Sequence, residues 1–301
     1  MNSKKETKTI PVIYLQGAAC SGCVTSTLCS TYPSIRNILL QEIVPGVKLE
    51  FIFHPNIMTA SGNLAMDVLE KAARDKNYVL IIDGAIPTGE NGIFCTTGEK
   101  NGKKSTILEE VLSLAPGAIM SIAFGSCASY GGIAGALPNV TDSLSVDDIF
   151  LSNQIKTPLV NIPGCPPHPD WLFGTIGEIL TNGLENLKLD ELKRPLTYYG
   201  KLIHENCPRR AWFDEGKFAR KFGDEGCLYE LGCKGPVTYS DCPVRLWNGK
   251  TNWCIGSGAP CGGCTQPEYP DYVGDFYYKI IDVEVPSSQR KEKSKIHDLG
   301  R

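Results

Sequence analysis

The sequence predicts an α/β protein, in which a doubly wound, mostly parallel sheet is followed by an irregular C-terminal domain. Two observations predict the sheet. Short apolar runs rich in β-branched residues alternate with helix-like stretches as far as about residue 190. The run Tyr78 to Ile82 is also almost continuously apolar, as a strand covered on both faces must be. A third observation predicts the irregular domain. After about Pro195 cysteine, glycine and proline become frequent, and helical periodicity is lost except near Phe213 to Phe222.

Strands are expected at Pro11 to Leu15, Val47 to Phe53, Tyr78 to Ile82, Ala118 to Phe124 and Pro158 to Ile162. Helices are expected over Val24 to Leu40, Gly62 to Arg74, Ser105 to Ala115, Val146 to Leu151 and Trp171 to Leu180. Domain limits follow from these runs: an N-terminal extension over 1–10, the sheet domain over 11–190, the cysteine-rich domain over 191–285 and a polar tail over 286–301. In an open parallel sheet, sites form beyond the carboxyl ends of the strands, where the strand order reverses. Three such ends carry cysteine: Gly17-Ala-Ala-Cys20-Ser-Gly-Cys23, Gly125-Ser-Cys127 and Pro163-Gly-Cys165. Four thiols thus converge on one crevice.

Composition narrows the function. With 30 basic against 33 acidic residues the net charge is −3, which argues against nucleic acid or an anionic membrane as partner. The longest apolar candidate, Leu114 to Phe124, is broken by Pro116 and Gly117, so no membrane span is expected. The N-terminus has lysines but no apolar stretch of an export signal. The chain as printed is expected in the cytoplasm, or in the periplasm or cell envelope if it is a processed form.

Thirteen cysteines is the unusual number. Disulfides are the bland alternative, but secreted disulfide scaffolds are short and poor in apolar core, and an odd count leaves one thiol over. Cys20, Cys23, Cys127 and Cys165 make one set of four thiols, suited to zinc or to an iron–sulfur cubane. His204, three residues before Cys207, joins Cys207, Cys227 and Cys233 in a second. Cys242, Cys254, Cys261 and Cys264 make a third, in Gly- and Pro-rich loops able to wrap a compact metal core. A region so poor in regular apolar layers is expected to fold around its metals, because binding energy is then folding energy. Cys29 and Cys95 remain, and are expected to be buried, inert thiols.

With these residues in place, the chain resembles the small subunit of NiFe hydrogenases from about Pro11 to about Tyr278. The carrying motifs are Cys20-Ser-Gly-Cys23, Asp83-Gly-Ala-Ile-Pro87, Gly125-Ser-Cys-Ala-Ser-Tyr-Gly-Gly132 and Pro163-Gly-Cys-Pro-Pro-His-Pro-Asp170. They continue with His204-Glu-Asn-Cys-Pro208, Cys227-Leu-Tyr-Glu-Leu-Gly-Cys-Lys-Gly-Pro236 and Cys261-Gly-Gly-Cys264. The resemblance implies a flavodoxin-like domain holding a proximal 4Fe-4S cluster on the first set, and a distal 4Fe-4S cluster on the second. Many members have proline in place of Cys254 and hold a medial 3Fe-4S cluster. The fourth thiol here implies a medial 4Fe-4S cluster, as in the NiFeSe branch. Oxygen-tolerant members carry extra cysteines at positions matching Gly22 and Gly132, so an ordinary proximal cubane is implied. Asp83 stands where glutamate is common, and only slight electrostatic tuning is expected from it.

The function so implied is electron relay in a hydrogenase, the hydrogen chemistry residing on a large subunit with the Ni–Fe site. A cytochrome or ferredoxin is the implied acceptor. Two other readings stay open on the sequence: an electron-transfer subunit of a complex I-like assembly, and a zinc-stabilised structural protein.

Overall fold

Each central strand of this protein is apolar on both sides, and that decides the architecture. The computed structural model describes residues 7–271 and 279–280; the expected tail over 286–301 lies outside them. Among the described residues ten strands are formed: β1 (Lys8–Gln16), β2 (Glu42–Val44), β3 (Val47–Phe53), β4 (Val79–Asp83), β5 (Ile86–Pro87), β6 (Thr96–Lys100), β7 (Lys103–Thr106), β8 (Met120–Phe124), β9 (Ser143–Leu144) and β10 (Leu159–Ile162). Six of them build the main sheet in the order β10-β8-β4-β1-β3-β2, and only the edge pair β2–β3 is antiparallel. Along β4, Val79 and Ile81 enter one core while Leu80 and Ile82 enter the other. Burying each such side chain contributes roughly 1.5–3 kcal/mol.

Helices cover both faces. Against the first core lie α1 (Gly22–Leu28), α2 (Ile35–Leu40) and, later in the chain, a 14-residue helix Pro169–Asn182. Against the second lie α3 (Gly62–Asp75), α4 (Ile107–Leu114), α5 (Ser126–Tyr130) and α6 (Val146–Ser152), which makes Pro169–Asn182 α7. The starts of α2, α4 and α6 are fixed by capping boxes, Ser34 with Asn37, Thr106 with Glu109 and Ser145 with Asp148. The chain leaves β1 for β3 on one side of the sheet and continues from β4 to β8 and β10 on the other. The reversal between β1 and β4 opens a crevice at their carboxyl ends.

The structure departs from the sequence expectations in four places. The single helix expected over Val24 to Leu40 is two, because Pro33 disfavours helical backbone at Tyr32 and Ser34 starts a new cap. The strand β1 begins at Lys8, so part of the expected extension belongs to the sheet. Near Phe213 to Phe222 only α9 (Arg210–Asp214) is helical, and Phe222 is exposed; the short helix α8 (Leu196–Tyr199) precedes it. The hairpin β6–β7 has no counterpart among the expected strands. Its two-residue turn is Asn101-Gly102, both at positive φ, which is the standard tight hairpin signal.

Beyond α7 the described residues form short helices, including α10 (Cys242–Arg245), turns and isolated bridges. Their small core of Ile203, Ala219, Leu228, Trp253 and Ile255 is completed by the thiols of Cys233 and Cys261. Cysteine is therefore part of what this region packs around.

The buried imidazole of His54 links the fold to pH. It stacks on Tyr14 at 4.3 Å, its Nδ1 accepts from the Asn56 amide, and burial pulls its pKa from 6.5 down to about 4. Between those values the unfolded chain binds the proton and the folded chain does not, so stability is lost as pH falls from 6.5 to about 4. A His54→Phe variant keeps the stacking and should lack this loss. Its melting temperature should therefore fall less than that of the wild type across the window, by an amount worth roughly 3 kcal/mol.

Candidate metal centres beyond the strand ends

The first centre is assembled by loops that leave β1, β4, β8 and β10. The loop after β1 is pinned to the loop after β4, since the Gly17 amide donates to the Asp83 carbonyl at 2.7 Å and Ala18 pairs with Ala85. From there Cys20 lies exposed, and Cys23 is buried in the first turn of α1. The Ser26 hydroxyl of α1 donates to the Pro167 carbonyl at 2.6 Å, tying α1 to the loop that carries Cys165. Cys127 sits in α5, with the amides of Ile133 and Ala134 donating to its sulfur. The Tyr269 phenol hydrogen-bonds Cys165 from the C-terminal region.

The backbones around these four cysteines lie close together: a Cβ on Gly22 would be 3.2 Å from Cys20 Sγ and 3.7 Å from Pro166 Cβ, and one on Gly125 would be 3.9 Å from the Gly164 carbonyl oxygen. Cys23 senses Cys20 and Cys127, Cys127 senses Cys165, and Cys165 senses Cys20. Burial pushes the Cys23 thiol far above its ordinary range, and Asp83 adds to the effect. Two glycines leave the pocket its room. Gly125 has φ +98°, and a Cβ there would lie 2.7 Å from Cys23 Sγ. Gly132, at φ +50°, would place a Cβ 2.9 Å from Cys127 Sγ.

The second set gathers far from the sheet. His204, Cys207, Cys227 and Cys233 line one narrow pocket with Tyr229 and Ile255. His204 packs edge-on against Phe213 at 4.5 Å, which fixes the ring. Its Nε2 is buried and has no hydrogen-bond partner among the described residues. Burial, and then the charge of Arg210, lower its pKa, so the ring is neutral and its lone pair available. Cys233 accepts from the amides of Gly235 and Cys261 at 3.5 and 3.4 Å, yet burial still pushes its thiol up to about 11.

The third set lies between the other two. Cys242 and Cys264 sense each other and Cys254, and Cys261 senses Cys264 and Cys242. Burial raises Cys242 to about 12, against a hydrogen bond with Ser240 at 3.0 Å. All thirteen cysteines are free thiols. Among the described residues no three His, Cys, Asp or Glu side chains are arranged to hold a single metal ion.

Of the three expected sets, His204, Cys207, Cys227 and Cys233 line one pocket together. Of the two cysteines outside the sets, Cys95 is half-buried against the second core, whereas Cys29, expected buried, is exposed at the end of α1. Asp83 is more than a slight influence. It is 1% exposed and accepts from the Tyr14 hydroxyl at 3.1 Å, its Oδ1 has no hydrogen-bond partner among the described residues, and burial raises its pKa to about 6. Its partner Tyr14 carries no signal in the sequence, because a tyrosine inside an apolar strand reads only as core.

Two family models match the chain in separate places. Residues 20–179 match the NADH ubiquinone oxidoreductase 20 Kd subunit, and residues 199–277 match the C-terminal part of the NiFe/NiFeSe hydrogenase small subunit. The second covers the His204 to Cys264 segment, and full-length relatives agree with it. The periplasmic NiFeSe hydrogenase small subunit of Desulfomicrobium baculatum is 42% identical over 90% of this chain and 87% of its own. The chain belongs to the NiFe/NiFeSe hydrogenase small-subunit family. Within that family the Hydrogenase-2 small chain of Escherichia coli K12 is 36% identical, over 94% of this chain and 74% of that one. The solved NiFeSe hydrogenase of Desulfomicrobium baculatum, in a reduced, active form, superposes with a TM-score of 0.85 at 41% identity, covering 91% of this chain and all of that one. That of Desulfovibrio vulgaris Hildenborough gives 0.84 at 41%, over 90% and 98%. As a hydrogenase small subunit, the chain is the electron-transfer component of a heterodimeric oxidoreductase acting on hydrogen.

Replacing Gly125 by alanine tests the first pocket. The left-handed backbone costs roughly 1–3 kcal/mol, and the new methyl must displace Cys23 Sγ. The variant is expected to melt lower and to bind less metal than the wild type, read by thermal unfolding and metal analysis.

Proposed function

We propose that the three sets hold three 4Fe-4S clusters in a row, through which this chain carries electrons between a large subunit's Ni–Fe site and an external acceptor such as a cytochrome or ferredoxin. The observation that carries the proposal is the continuity of the three sets. Ser126, next to Cys127 of the first set, donates its hydroxyl to the Cys264 carbonyl of the third, and the Cys261 amide of the third donates to Cys233 Sγ of the second at 3.4 Å. This supports the order proximal (Cys20, Cys23, Cys127, Cys165), medial (Cys242, Cys254, Cys261, Cys264), distal (His204, Cys207, Cys227, Cys233).

The residues fit such clusters. The orphaned Nε2 of His204 faces a pocket of three thiols, and the glycines beside Cys23 and Cys127 keep space free near sulfur. When bound, an iron–sulfur cluster accepts and releases single electrons. The chain supplies the ligands, the amide donors that stabilise charge on Cys233, and the burial that keeps water from Cys261. A neutral imidazole in place of a fourth thiolate raises the potential of the distal site, which suits an exit. Cys254 stands beside Cys242 and Cys264, which favours four thiolates and a lower potential at the medial site.

The strand order of the parallel sheet, β3-β1-β4-β8-β10, is that of the flavodoxin-like folds and supports this assignment for residues 11–190. Residues 191–285 then form the cluster-nucleated domain. The large subunit is placed over the proximal end. There Cys20 and Cys165 are exposed, and the abutting loops after β5 and α5 expose Ile93, Phe94, Ile133, Leu137 and Val140. Exposed apolar surface of this kind marks a binding face. No helix among the described residues is long and apolar enough to cross a membrane. The periplasmic relative favours the cell envelope over the cytoplasm.

Iron analysis of the purified complex, combined with electron paramagnetic resonance, tests the assignment. This chain should carry roughly twelve irons, and the oxidised protein should show no strong 3Fe-4S signal. A Cys254→Pro variant should create that signal. Its presence in the unaltered protein would refute the medial assignment, and a colourless, zinc-loaded preparation would refute the relay.

A further inference from the structure

We infer that Ser126 is a positioning residue that sets the separation of the proximal and medial ligand sets, and with it the ease of the electron hop between them. The inference rests on the relay reading above and concerns one junction within it.

Ser126 is 2% exposed and occupies the first turn of α5, immediately before the proximal ligand Cys127. Its amide donates to the Gly164 carbonyl at 3.0 Å, and its hydroxyl accepts from the Gly164 amide at 2.9 Å. Gly164 immediately precedes Cys165, so Ser126 fixes two proximal ligands to each other through their neighbours. The same hydroxyl donates its one proton to the carbonyl of Cys264, a medial ligand 138 residues away in sequence. The Cys165 amide also donates towards Cys264 Sγ. One buried oxygen therefore ties the backbones of both strand-end loops to the medial set.

The other junction needs no third side chain. Cys261 donates its amide to Cys233 Sγ at 3.4 Å and accepts from the Lys234 amide at 2.7 Å. A side-chain clamp is needed only where the two sets belong to different regions of the fold. Ser126 is not required to start α5, because it spends both donor and acceptor outside the helix. With clusters held by both sets, one electron would pass from the proximal to the medial, and the clamp would neither gain nor lose a proton.

The test uses the complete hydrogenase heterodimer, carrying Ser126→Ala or Ser126→Thr. Three quantities are read: iron per complex, the magnetic splitting between the reduced proximal and medial signals, and the rate of medial reduction by rapid freezing. Ser126→Ala is expected to keep its iron, change the splitting and slow medial reduction several-fold. Ser126→Thr, which retains the hydroxyl, should return both values towards the wild type. Unchanged splitting and rate in Ser126→Ala would overturn the inference. So would selective loss of iron from one set, which would make Ser126 a support for that set alone, or a Thr variant indistinguishable from Ala. A wild-type complex without iron on this chain would instead sink the relay reading before any variant is made.

Discussion

Charge is the constraint on which this structure depends. In the thiols of Cys23, Cys233, Cys242 and Cys264 ionisation is opposed first by burial, and each of them also feels a neighbouring sulfur. Four thiolates cannot occupy one pocket unless cations lie between them. Without metal the stable form of Cys233 or Cys242 at neutral pH is the protonated thiol. Metal uptake must therefore expel protons, and the energy of forming iron–thiolate bonds enters directly into folding.

The two halves of the chain answer that constraint differently. The sheet domain is stable on hydrocarbon alone, with two full cores and helices on both faces. It offers its cysteines at strand ends that topology has already brought together. The C-terminal region has a core of a few aliphatic and aromatic side chains plus two of the ligands themselves. Hydrogen bonds from Arg194 to Asp190 and to the Thr265 carbonyl, and from Trp171 to Asp241, hold it to the sheet domain.

Much of this is legible in the sequence. All five parallel strands can be found there, because buried parallel strands are near-continuous apolar runs, and three of them run on into glycine and cysteine. The grouping of the twelve ligands follows from spacing, strand-end logic and family resemblance together. What escapes is local or depends on long-range packing. The β6–β7 hairpin carries its signal in Asn101-Gly102, but Thr96 to Lys100 is too polar to register as a strand. The break at Pro33 is hidden by apolar residues on both sides. The weight of Asp83 depends on burial under Tyr14, a strand neighbour 69 residues away, which no local pattern encodes.

The uneven exposure of the sulfurs has a consequence for biogenesis. Cys20 and Cys165 of the first set and Cys254 of the third face solvent, whereas Cys233 and Cys261 are buried by this chain's own atoms. A newly made, unaccompanied small subunit is therefore most open to oxidants and thiol-reactive molecules at its proximal end, where two of the four sulfurs are exposed, against one in the third set and none in the second. Maturation is safest when that end is capped early, so pairing with the other protein protects the inorganic centre as well as bringing it to its substrate.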